Sequence, residues 1–118
     1  MKKIVCIAVA VFSITLTTLS QTTIPVDSAK NYVGKTVTVC STVFGTKALE
    51  KITFINLGAP HPNAPLTVAV FAKDYANFTT PPAQLYANKK LCVTGEVKEF
   101  KGKIEIVITK PEDIKTTD

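Results

Sequence analysis

The chain has no arginine: all fourteen of its basic side chains are lysines. Bidentate grips on phosphate or on a guanine edge use the planar guanidinium fork, so only point-charge ammonium groups are on offer to an anion. Histidine is almost as scarce, with His61 alone between two prolines. A zinc site or a nucleophile–base pair needs several such groups at recurring spacings. Neither is present, and there is no glycine-rich phosphate loop. The three cysteines include no Cys-x-x-Cys pair, which argues against a redox-active dithiol. These absences point away from catalysis, and no cofactor is expected.

A membrane-spanning run is missing as well. Ile4 to Leu16 (IVCIAVAVFSITL) is apolar but only thirteen residues long, short of the about 20 that cross a bilayer. Lys2 and Lys3 precede it, and the small polar residues Thr17 to Ser20 follow. That layout predicts a secretory signal peptide over residues 1–20, cleaved after Ser20, in preference to a buried N-terminal helix. Cys6 opens the apolar stretch instead of following it, so it is not a lipoprotein cysteine. The expected product is exported to the periplasm or beyond and keeps no stable membrane anchor. Two of the fourteen lysines lie in residues 1–20, which leaves twelve against nine acids, a net charge of +3. So small an excess supports polyanion binding only weakly.

The remaining length fits one domain. After a polar lead over residues 21–31, Thr36 to Val43 (TVTVCSTV) alternates strictly, with Val37, Val39 and Val43 on one face, as a half-buried strand does. Gly45 and the polar Thr46 to Glu50 read as a connection. Ile52 to Leu57 is a second strand and Leu66 to Ala72 a third, separated by a loop with three prolines. One short helix is expected to start at Pro81 and Pro82. Leu91 to Val97 and Ile104 to Thr109 are the fourth and fifth strands, joined by a tight turn. Residues 34–43 also echo residues 88–97: Val37, Val39 and Val43 match Leu91, Val93 and Val97, while Ser41 and Gly95 supply a small residue at the same inward step. A small residue there lets a strand bend around a narrow barrel. The fold expected is all-β with one short helix, a five-stranded Greek-key barrel of the OB type.

The chain from Tyr32 to about Lys115 resembles the OB-fold nucleic-acid-binding, or tRNA-anticodon-like, domains found as small exported bacterial proteins. The residues carrying the resemblance are Tyr32 to Lys35 (YVGK), Val37 to Cys40 (VTVC), Thr53 to Gly58 (TFINLG), Pro62-Asn63, Leu66 to Phe71 (LTVAVF), Lys90 to Gly95 (KLCVTG) and Phe100 to Gly102 (FKG). Ser41 departs from the pattern, where glycine would be expected after Cys40. The domain is thus taken as residues 32–115, with 116–118 as a tail.

In an OB topology the first and fourth strands are antiparallel neighbours. Cys40 and Cys92 share outward parity on them, so a disulfide is expected in preference to two free thiols. A ligand would follow the usual OB surface, the face of the second and third strands bounded by loops. That surface collects Lys47, Lys51, Thr53, Ile55, Phe71 and Lys73, with Phe100 and Lys101 from the last hairpin. Phe71 has two readings: an outward platform for stacking, or, favoured because one aromatic is a thin platform, packing beneath residues 74–86. Phe54 and Leu57 are read as core. Glu96, Glu99 and Glu105, interleaved with Lys98, Lys101 and Lys103, read as a salt-laced surface. Resemblance favours single-stranded nucleic acid, or an oligosaccharide or other extended polymer, as ligand. Export favours the alternative of a protein–protein interaction module.

Overall fold

The computed structural model describes residues 22–117; the signal peptide expected over residues 1–20 lies outside them. Among the described residues seven strands form, β1 (Thr22–Ile24), β2 (Thr36–Ala48), β3 (Ile52–Leu57), β4 (Leu66–Phe71), β5 (Lys90–Phe100), β6 (Lys103–Val107) and β7 (Ile114–Thr117), with one short α-helix, α1 (Pro82–Leu85), and short 3-10 helices over Val26–Tyr32, Ala72–Asn77 and Pro111–Asp113. Five of them, in the order β2-β3-β4-β6-β5, close into a barrel through pairing of β2 with β5. Within that ring only β4 and β6 run parallel, so the expected five-stranded OB barrel is what forms. Helix α1 starts at Pro82, with Pro81 as its cap. Among the described residues no helix is long and apolar enough to cross a membrane.

The valine alternation of β2 decides its inner face. Val37, Val39 and Val43 are buried against Ile55, Val68 and Val93 in one core. Gly95 is a tight point of the wall: a Cβ there would stand 2.6 Å from Ile106 Cγ2, so glycine lets β5 pass close to the Ile106 side chain of β6. Ser41, at the matching step of β2, has its own task. Its Oγ accepts the Gly58 N–H at 3.0 Å and donates to the Thr42 carbonyl at 2.8 Å. Gly58 ends β3 with φ +87°, and the serine hydroxyl satisfies an N–H that would otherwise lose its partner where the strands part.

Three expectations need correction. β2 does not stop at Val43 but runs on through Gly45 to Ala48. Its first half pairs with β5 and its second with β3, and a bulge between Val43 and Gly45 bends it from one to the other. The lead over 21–31 is not free of the barrel: β1 pairs with β2, and Ile24 and Ala29 are buried. The tail begins too early as well, because β7 pairs with β5 as far as Thr117. These short strands face solvent with polar residues, so they carry almost no apolar periodicity.

Cys40 stands opposite Cys92 in the β2–β5 register, with Cα atoms 3.9 Å apart and the sulfurs bonded. Beside the disulfide, the Thr38 and Thr94 hydroxyls share a hydrogen bond of 2.7 Å. The packing task expected of Phe71 falls to other rings. Phe78 and Tyr86 meet edge to face, their centroids 6.3 Å apart, and both are buried in the core.

Candidate ligand-binding groove

β3 alternates, and the alternation decides what faces out. Ile55 is wholly buried, and so is Thr53, whose Oγ1 donates to the Tyr75 hydroxyl at 2.8 Å. Both were expected on the outer face and both point inward; Phe54, expected in the core, takes the outer position between them. Its partner in the register is Ala69 of β4, a methyl too small to cover it. A phenyl ring ranks as core on hydrophobicity alone, but strand parity overrides that ranking. Leu57 is core, as expected.

Phe54 sits at the centre of a groove made of two depressions. The smaller, about 490 Å³, is bordered by Phe44, Lys47, Asn56 and His61. The larger, about 600 Å³, is bordered by Ile52, Phe71, Lys98, Phe100, Glu105 and Val107. Phe54 and Lys103 border both. The β2 bulge turns Phe44 into the groove, which is a common use of a bulge. Phe44, Phe71 and Phe100 are 48%, 40% and 58% exposed; for Phe71 this fits the platform reading and not burial under residues 74–86. The Lys103 ammonium lies 4.5 Å from the centre of the Phe54 ring, and the Lys101 ammonium 5.4 Å from that of Phe100. Cation–π contact therefore holds two of the groove's charges beside its rings.

Of the residues expected to bind, Lys47, Phe71, Phe100 and Lys101 border the groove. Lys51 and Lys73 do not: neither borders it, and the Lys73 ammonium pairs with Asp74 at 3.2 Å. Sequence reasoning missed Phe44, Phe54, Lys98, Lys103 and Glu105. The parity break at Val43-Phe44-Gly45 was the available signal for the first of these.

Glu105 is only 8% exposed although it belongs to the groove. It lies between Thr67 of β4 and Lys98 of β5 in the strand registers. The Thr67 hydroxyl is already engaged, donating to Asn56 Oδ1 at 3.1 Å. Among the described residues Glu105 has no ion pair within 4 Å and no side-chain hydrogen bond, so the salt-laced surface expected here does not form. Burial pushes its carboxyl above the usual carboxylate range, and the nearby charge of Lys103 opposes this only in part. No group of three or more His, Cys, Asp or Glu side chains that could hold a metal ion occurs among the described residues.

No family model and no curated protein matches the chain. Solved structures do. An asparaginyl-tRNA synthetase from Entamoeba histolytica, in complex with asparaginyl-adenylate, is 19% identical with a TM-score of 0.56, over 82% of this chain and 24% of that one. An OBody bound to hen egg-white lysozyme is 13% identical with a TM-score of 0.58, over 84% of this chain and 96% of that one. The Stn1–Ten1 complex of S. pombe is 12% identical with a TM-score of 0.52, over 70% and 57%. At these identities the likeness establishes the OB fold. The chain spans about a quarter of the length of the synthetases it matches.

Proposed function

We propose that this protein is a non-catalytic OB-type binding module, exported to an oxidising compartment, whose outer groove holds an extended anionic polymer lengthwise. One observation carries the reading: the phenyl rings of Phe44, Phe54, Phe71 and Phe100 border two adjoining depressions that share Phe54 and Lys103 and are edged by Lys47, Lys98 and Lys101. Rings accept the flat faces of successive units, while lysines meet their charges. Single-stranded nucleic acid answers this description, and the synthetases among the structural neighbours act on a nucleic acid by name. The disulfide supports export, since such bonds persist in oxidising compartments. Exposed Phe71 and Phe100, together with an OBody that holds lysozyme on the same barrel, support a second reading as a protein-interaction module.

Binding of a labelled single-stranded oligonucleotide over a salt series tests the polymer reading. Affinity should fall with salt at a slope of about −0.7 per neutralised phosphate, and removing Lys103 should lessen that slope. If neither an oligonucleotide nor an acidic polysaccharide binds, the polymer reading fails and the protein-interaction reading takes its place.

A further inference from the structure

The least comfortable group in the groove is Glu105. Buried polar side chains almost always have a hydrogen-bond partner, yet Glu105, a residue only 8% exposed, has no side-chain hydrogen bond among the described residues. Its nearest hydroxyl in the register, Thr67, has spent its proton on Asn56. Glu105 borders a depression of about 600 Å³ together with Phe54, Phe71 and Phe100, a volume in the range that takes small-molecule units. The site lacks a donor that the occupant must bring.

The surroundings restrict that donor. A cationic group would approach past Lys98, Lys101 and Lys103, which repel it. A phosphate or sulfate at this point would meet the carboxylate's own charge. What fits is a neutral unit with two adjacent O–H or N–H donors, one for each carboxylate oxygen, and an apolar face for the phenyl rings. A pyranose ring with vicinal hydroxyls has both. The surrounding lysines then call for charge on the neighbouring units.

This distinguishes between classes of anionic polymer. A polynucleotide carries a phosphate on every unit, and of its bases only guanine offers a carboxylate two adjacent N–H donors, so a mixed sequence satisfies Glu105 in few registers. A polysaccharide that alternates a neutral sugar with a uronate has registers that keep its charge on the lysines. Resting on the groove as a polymer site, we propose that the depression around Glu105 is a sugar subsite, and that the ligand is an acidic polysaccharide whose neutral unit donates two hydroxyls to this carboxylate.

Calorimetric titration of the disulfide-bonded protein tests this with three probes: a hexasaccharide alternating 4-linked glucose, which keeps its vicinal 2- and 3-hydroxyls, with 3-linked glucuronate; inorganic polyphosphate; and a single-stranded oligonucleotide. The hexasaccharide should bind, and Glu105→Gln should weaken it about tenfold or more, the usual worth of hydrogen bonds to a charged group. Polyphosphate should bind the same variant as well as wild type or better, because a repelling charge has gone. These opposite movements cannot come from a general loss of fold. If Glu105→Gln strengthens or spares the hexasaccharide, Glu105 is no acceptor and the inference falls. Oligonucleotide binding without hexasaccharide binding also overturns it but leaves the polymer module standing; no binding to any probe removes both. Should the variant fail to fold, NMR shifts in wild type decide: hexasaccharide-induced shifts absent from Phe54, Phe71 and Glu105 overturn the subsite.

Discussion

Two stretches of one barrel wall treat their outer faces in opposite ways. Where β2 meets β5, the outward side chains are joined in cross-strand pairs: Cys40 to Cys92 by a covalent bond, Thr38 to Thr94 by a hydrogen bond. β1 and β7 extend this sheet on either side. Where β3 meets β4 and β6, the outward row holds Phe54, Phe71 and Glu105, and the carboxylate has no side-chain partner. Both stretches enclose the same saturated core, so the open one is not simply unfinished. A wall cross-linked on one side can tolerate unsatisfied groups on the other, which is how a binding surface is generally afforded.

Breaking the sealed side should have the largest effect. The disulfide closes a loop of 52 residues, worth about 4 kcal/mol in the chain-entropy account. Cys40→Ser with Cys92→Ser should therefore lower the melting temperature substantially, while ligand affinity measured well below the melt stays near wild type. Thiol labelling of denatured, non-reduced protein checks the premise: neither cysteine should react. Equal affinity loss in the folded double variant would mean that the two sides are coupled.

Gly95→Ala comes next. The added methyl meets Ile106 Cγ2 at 2.6 Å, an overpacking cost of about 1–3 kcal/mol. Urea denaturation should find the midpoint lowered. An unchanged midpoint would show that β5 and β6 can separate at no cost, and that the barrel is looser than its core suggests.

On the open side the sign of the comparison reverses. Phe54 is half-buried and faces the groove, so Phe54→Ala should weaken polymer binding by about 1–3 kcal/mol with little change in salt slope, since stacking releases no counterions. Thermal melting of the same variant should shift only slightly. A large loss of stability with binding intact would return Phe54 to the core, where its hydrophobicity alone had placed it.

That misplacement marks what can be read without the structure. The inner face of the sealed side was legible because valines alternate with polar residues over a long stretch, and Cys40 and Cys92 inherit their parity from that pattern. β3 offered no such contrast. Ile52, Phe54, Ile55 and Leu57 are all apolar, and only pairing with β4 decides which of them face out. Phe44 depends on a bulge that exists because one strand must serve two partners. Glu105 reads as an exposed strand carboxylate, since its own neighbours alternate correctly. Its burial comes from Thr67 and Lys98 on strands that close around it, and local pattern carries no trace of them. Pairs of distant strands, not single segments, therefore create the groove.

The smallest effect is the one that tests whether the groove floor is truly open. Burial holds the Glu105 carboxyl above the usual carboxylate range, so the folded protein keeps its proton to a higher pH than the unfolded chain does. Between the ordinary value and the raised one, the native state binds more protons than the unfolded state. Stability then falls as pH rises through that window and stays level above it. Glu105→Gln has no proton to lose and should not show the fall. Its melting temperature should exceed that of wild type at neutral pH, and the gap should close once the pH drops below the ordinary carboxylate range. Acidic polysaccharide present in excess should close the gap from the other side, by giving the ionised carboxylate of wild type the donors it lacks. A neutral-pH variant that melts below wild type would mean that the protein itself satisfies Glu105. The groove floor would then belong to the sealed side, and the contrast between the two walls would narrow to the phenyl rings alone.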